Sequence, residues 1–151
     1  MRVYFDYNAT TPLAPDVIEI VDRSSREIFG NASSVHRFGQ QAKAMLDDAR
    51  SSVAALVGGD TSEVVFTSGG TESDNFALRG AAEALEAAGR RHLIASAIEH
   101  EAVLNTLRAL ARRHWQVTLL PVDASGVISP DRLRESITDD TNEICSDILS
   151  A

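Results

Sequence analysis

Lysine is nearly missing from this 151-residue chain: Lys43 stands alone beside 13 arginines. Any reaction that needs a lysine amine therefore has one candidate. Cysteine is as scarce, and the single Cys145 excludes an internal disulfide while being compatible with a reducing compartment. No apolar run approaches a membrane span, and Met1-Arg2-Val3-Tyr4-Phe5-Asp6 lacks a signal-peptide layout, so the cytoplasm is expected and a membrane partner is not. A basic stripe is missing too. With net charge -8, a pI near 4.9 and arginines scattered among 22 acids, nucleic acid is not an expected partner. His92, His100, His114 and Cys145 lack zinc-type spacing, so no metal is expected. Neither a G-x-S-x-G elbow nor the Gly-Lys-[Ser/Thr] of an ATP-binding loop occurs.

What is present points to an α/β chain. With 44% hydrophobic and 24% charged residues, it is of single-domain size and can bury a core. Its organising stretch is residues 64–75, Val64-Val65-Phe66-Thr67-Ser68-Gly69-Gly70-Thr71-Glu72-Ser73-Asp74-Asn75. The β-branched and aromatic run predicts a strand, the glycines a tight turn, and Thr71-Glu72-Ser73-Asp74 has the spacing that caps a helix start. Such a helix aims its unbonded N–H groups and the positive end of its dipole beyond the strand, where phosphates bind. Gly69 and Gly70 are expected to take positive φ and let a ligand approach, with Ser68 and Thr71 adding hydroxyls. The same turn is a plain structural joint in most α/β proteins, so the motif alone leaves both readings open.

In chain order, residues 3–6 read as a short strand broken by Asn8-Ala9-Thr10-Thr11-Pro12. A helix follows from Pro15, with Val17, Ile18, Val21, Ile28 and Phe29 at helical spacing up to Gly30. The loop 30–39 is small and polar. Ala42, Met45, Leu46, Ala49, Val53, Leu56 and Val57 then trace a second helix ending at Gly58-Gly59. The helix after residue 72 is expected to turn Ala77, Ala81, Ala84, Leu85 and Ala88 inward. Residues 92–97 and 115–121 read as strands, 101–113 as a helix with Val103, Leu104, Leu107 and Leu110 inward, and 130–137 as a short helix. Strands alternating with helices imply βαβ units in a parallel sheet. His100 lies just past the end of the expected strand at 92–97, at the rim where open α/β sheets place ligands, although a histidine there is more often a plain surface residue.

Four segments then carry a resemblance: Val3-Tyr4-Phe5-Asp6-Tyr7-Asn8-Ala9-Thr10-Thr11-Pro12, the stretch from Gly30-Asn31-Ala32-Ser33-Ser34-Val35-His36 to Ala49-Arg50, Phe66-Thr67-Ser68-Gly69-Gly70-Thr71-Glu72-Ser73-Asp74-Asn75, and Glu99-His100-Glu101-Ala102-Val103. In this order they resemble the cysteine desulfurases of the nitrogen-fixation and iron-sulfur-assembly type, over about residues 2–141. The resemblance implies pyridoxal 5'-phosphate as cofactor and a homodimer that converts L-cysteine to L-alanine. Sulfur would be left as a persulfide for scaffold proteins of iron-sulfur or thio-cofactor assembly. It implies Gly70 and Thr71 as holders of the cofactor phosphate, and His100 as the residue that stacks on the pyridine ring and moves protons. Asn8, Ala9 and Thr10, with Thr11, would line the substrate end. Ala32 stands where the family usually has proline, which affects loop stiffness only.

The fold implied is an incomplete large domain of fold type I, a three-layer αβα arrangement on a mostly parallel sheet, preceded by N-terminal helices. The expected division is 1–59 as a helical segment of the family's small domain, 60–141 as a partial cofactor domain, and 142–151 as a divergent tail. The family's Schiff-base lysine and persulfide cysteine lie well downstream. Lys43 belongs to an amphipathic helix, and Cys145 stands where Asn142-Glu143-Ile144 would continue into glycine, so neither matches. The apolar strand usual between Thr141 and Asn142 is expected to be lost, as a deletion or frameshift before an early stop would leave it. In the family's strand order 3-2-4-5-6-7-1, the strand at 64–67 would then lack its partner. Two readings stand: the N-terminal part of a desulfurase, inactive alone, or a non-catalytic module that docks on a full-length desulfurase or a scaffold partner.

Overall fold

Residues 3–7 and 9–145 are described in the computed structural model of the chain, the last four as backbone, and the chain divides into two compact units, 1–66 and 67–151. In the first unit, α1 (Pro15–Glu27) starts with Pro15 at its first position, where a missing N–H leaves nothing unbonded. It ends sooner than its apolar spacing suggests, at the cap Ile28, and none of its residues is buried. Gly30 is therefore not its terminator. A Cβ there would lie 2.2 Å from the Phe38 carbonyl oxygen, so glycine permits the loop to cross the start of α2 (Arg37–Val57). His36 caps that helix by accepting the Gly39 N–H at 3.3 Å, and Gly58 closes it at φ 71.

The two expected strands of this region do not form. Residues 3–6 run into a turn in which the Asp6 carbonyl accepts the N–H groups of Ala9 and Thr10. Residues 64–67 follow a short 3-10 turn (Thr61–Glu63), and although Val64 is extended, the segment joins no ladder among the described residues. Arg50 supplies part of what a neighbouring strand would: its Nε donates to the Val64 carbonyl at 3.2 Å, and its guanidinium lies 5.6 Å from the Phe66 ring centroid.

In the second unit, β1 (His92–Ser96) lies between β2 (Gln116–Leu120) and β3 (Thr141–Cys145), all parallel. All five β1 residues are buried, as a central strand covered on both faces requires. Leu93 and Ala95 face Leu78 and Ala82 of α3 (Gly70–Glu86) and Val103, Leu107 and Leu110 of α4 (Glu101–Ala111), with Trp115 closing the cluster. The inward face of α3 keeps only Ala81 and Leu85 of the expected stripe, both half-buried, and centres on two other residues. Leu78 and Ala82 are buried, whereas Ala77, Ala84 and Ala88 are exposed. The larger Leu78 sets the rotation because its burial removes more apolar surface from water. A short α5 (Pro130–Ser136) is capped by Ser129 and packs near β2.

The strand expected to be lost after Thr141 is replaced. Thr141–Cys145 pairs with β1 through a register shift, Thr141 opposite His92 and Glu143 opposite Leu93, so that Asn142 is passed over. The order β2-β1-β3 occupies the 3-2-4 section of the arrangement implied by the resemblance. The His92 ring, 1% exposed, joins all three strands by hydrogen bonds to the Thr118 hydroxyl at 2.8 Å and the Thr141 hydroxyl at 2.9 Å.

Candidate functional site

The site is built from the first turns of α3 and α4. Ahead of α3, the cap is not the Thr71-to-Asp74 pair that the spacing suggests. Glu72 reaches back instead, and its Oε2 accepts both the Ser68 N–H at 2.6 Å and the Ser68 hydroxyl at 2.7 Å. The hydroxyl and then the amide hold the Glu72 carboxyl below its ordinary range. Thr67 and Ser73 share a hydroxyl contact of 2.6 Å, and the Ser73 N–H makes the first helical bond, to Gly69. Ser68 is therefore engaged within the turn.

What remains outward are the N–H groups of Gly70, Thr71 and Glu72, which have no in-helix acceptor, and the Thr71 hydroxyl, which makes no hydrogen bond among the described residues. Neither glycine takes the expected left-handed backbone. Gly69 is extended at φ 160, and a Cβ added at Gly69 or Gly70 would meet no atom within 4 Å. The glycines leave open room in front of the helix without relieving strain in the chain.

His100 caps α4. The chain leaves β1 at Ser96, passes the buried Glu99, and sets the exposed His100 ring so that Nδ1 accepts the Ala102 N–H at 3.1 Å. In the neutral ring the proton consequently sits on Nε2, which points its donor away from the helix. Helix capping by a histidine is a local signal, and His36 also caps α2, although onto the amide three residues on and not two. His92 lies at the opposite end of β1, and His114, at φ 69, is part of the turn after α4.

Thr71 and His100 line one cleft of about 330 Å³, together with Asn75 and Arg79 of α3 and Glu101, Asn105 and Thr106 of α4. Asn75 and Arg79 follow Thr71 at i+4 and i+8, a helical-face signal in the sequence that points to this cleft only once α4 is known to pack beside α3. Ala9 and Thr10 belong to the first unit, and Asn8 lies outside the described residues. A larger groove of about 510 Å³ runs along residues 121–132, but its one carboxylate, Asp123, is held low by accepting the Val127 and Ser125 amides of its own turn. Among the described residues no group of three or more histidine, cysteine or acidic side chains could hold a metal ion, and no helix is long and apolar enough to cross a membrane.

The profile of the family Aminotransferase class-V matches residues 3–149. Cysteine desulfurase IscS of Dictyoglomus turgidum is 43% identical over 140 residues, which is 93% of this chain and 35% of that protein. Cysteine desulfurase IscS of Photorhabdus laumondii is 48% identical over 144 residues, again 93% of this chain and 35% of the relative. Among solved structures, a NifS-like protein superposes with a TM-score of 0.90 at 39% identity, over 97% of this chain and 40% of the other. SspA in complex with cysteine gives 0.85 at 38% identity, over 95% and 41%. The chain thus spans about a third of the length of these curated relatives, and its helices and small parallel sheet form part of the fold type I architecture of its structural neighbours.

Proposed function

The chain belongs to the class-V aminotransferase family, and from that premise we propose that it is the N-terminal part of a pyridoxal-phosphate-dependent cysteine desulfurase. The observation that carries this reading is the shared cleft of Thr71 and His100. Its donor set fits the cofactor. The unbonded N–H groups of Gly70 and Thr71, the Thr71 hydroxyl and the open space at Gly69 suit a phosphate, and the exposed imidazole suits the flat face of a pyridine ring. Bound pyridoxal phosphate would supply an electron sink for charge developing beside the substrate's α-carbon. In this reading Gly70 and Thr71 anchor, and His100 orients the ring and exchanges a proton at Nε2, while Nδ1 stays committed to the Ala102 amide. Asn8, Ala9 and Thr10 would form the substrate end.

The whole-protein activity proposed is conversion of L-cysteine to L-alanine in a cytoplasmic homodimer, with sulfur passed through a cysteine persulfide to scaffold proteins. Similarity to a protein solved with cysteine supports the substrate. Residues 1–151 on their own are proposed to be inactive and to hold the cofactor weakly. Lys43 sits within α2 and pairs with Asp47, one turn away. Cys145 ends β3. Residues 1–59 would belong to the small domain, 60–141 to the cofactor domain, and 142–151 to a divergent tail. A second reading, a non-catalytic module seated on a full-length desulfurase or a scaffold partner, is favoured by α1, which buries none of its residues and leaves Val17, Ile18 and Val21 exposed.

Titration of the purified chain with pyridoxal phosphate, followed by absorbance and by alanine release from L-cysteine, tests the first reading. Saturable binding that Thr71→Ala weakens, with no alanine formed, is the expected result. Alanine release would overturn the proposed inactivity, and no binding at millimolar cofactor would overturn the cofactor site. Stoichiometric pull-down of a full-length desulfurase, lost on Val17→Asp, would favour the second reading.

A further inference from the structure

We propose that Asn75 is a positioning residue that holds the Thr71 end and the His100 end of the cleft in register. Its purpose rests on the cofactor reading above; its geometry does not. Asn75 Nδ2 donates to the Thr71 carbonyl at 2.8 Å, and its Oδ1 accepts the Thr106 hydroxyl at 2.7 Å. Thr106, 2% exposed, stands on α4, with its hydroxyl also 2.9 Å from the Ala102 carbonyl. The N–H of the same Ala102 donates to His100 Nδ1. A continuous path of hydrogen bonds therefore runs from Thr71 through Asn75, Thr106 and Ala102 to the ring of His100.

The orientation of the Asn75 amide follows from its neighbours. The Thr71 carbonyl can only accept, so the NH₂ group must face it, which turns the oxygen toward the Thr106 hydroxyl. The single hydroxyl proton of Thr106 is shared between Asn75 and Ala102. Leucine at 75 keeps the volume and loses both of the Asn75 bonds, while valine at 106 keeps the shape and loses both bonds of the hydroxyl. Serine at 106 keeps the hydroxyl.

Thr71 and His100 come from different helices, and apolar packing between α3 and α4 tolerates small slides that a directional bond does not. A phosphate and a pyridine ring belong to one rigid molecule, so its two contacts have to be spaced together. Asn75 is the residue that links the two spacings.

Four variants of the full 151-residue chain test this: Asn75→Leu, Thr106→Val, the pair together, and Thr106→Ser. Amide hydrogen exchange is expected to speed up about three- to tenfold at the hydrogen-bonded amides 73–75 and 102–104 in the first two variants, the size of one net hydrogen bond. It should stay near wild type in Thr106→Ser and at 92–96 in all of them. Pyridoxal-phosphate affinity should fall by a similar factor in each single variant, with little further loss in the pair, because both cut the same path. Unchanged exchange at 102–104 in Asn75→Leu would overturn the proposal, as would equal acceleration across 92–96, which reports loss of the fold. If the wild-type chain binds no cofactor but the exchange pattern holds, the linkage stands and the cofactor reading falls.

Discussion

Glu72 binds the Ser68 donors with its own carboxylate and leaves the outward N–H groups of residues 70–72 for an anion. Its carboxyl is held below the ordinary range by the Ser68 hydroxyl and amide, so these bonds are complete above the unfolded glutamate value, about 4.3, and are lost as the pH falls through the lower folded value. The protection of the Ser68 amide, its exchange relative to the intrinsic rate at each pH, should be steady near neutrality and fall only in acid, and Glu72→Ala should remove that dependence. The group is fully exposed, so the effect is read locally and not in global stability. His92 is the opposite case. Its buried ring satisfies two threonine hydroxyls, and His92→Leu leaves both without it; a loss of about 2–3 kcal/mol is expected, measured as a lower urea midpoint at unchanged slope.

At the scale of the element, the glycines that matter for backbone and those that matter for access separate. Gly58 ends α2 in the left-handed region with open space around it, so Gly58→Ala should cost about 1 kcal/mol through the backbone alone and shorten helical protection in α2. Gly69 is extended and unobstructed, and Gly69→Ala should leave thermal stability unchanged within about 0.5 kcal/mol while weakening pyridoxal phosphate, which circular dichroism and titration distinguish. α4 is fastened by its apolar side. Leu107, 1% exposed, faces β1 and α3, and Leu107→Ala should destabilise the second unit by about 2–5 kcal/mol, with early loss of protection at 92–96.

At the scale of the molecule the two units are unequal. Among the described residues nearly all buried apolar ones lie after residue 67, whereas α1 buries nothing and α2 buries only Gly39 and Ala54. Hydrogen exchange should therefore show firm protection at 92–96 and 102–110 and little at 15–27. Exposed Val17, Ile18, Val21 and Phe29, and the stretch 64–67 and sheet edges at β2 and β3 that no other strand pairs among the described residues, add up to a chain expected to be marginal and prone to associate when concentrated. Light scattering that rises with concentration and heating is the expected outcome. A soluble monomer with one cooperative thermal transition would contradict it.

The sequence by itself determined what depends on neighbours along the chain. The helices, β1, β2, the Asp123 turn and the inward face of α4 follow from 3.6-residue spacing, caps and β-branched runs, and the four ordered motifs carry the family. Tertiary structure decided what depends on a partner across space. Residues 3–6 and 64–67 have strand composition but find no ladder among the described residues, Thr141–Cys145 has little of it and becomes a strand because β1 offers an edge, and Leu78 rather than Ala77 faces inward because of what α3 packs on. The cleft is of the second kind. Thr71 and His100 could each be named from local sequence, but Asn75 and Thr106, 31 residues apart, become a pair only when α3 and α4 lie side by side and a buried hydroxyl needs a partner.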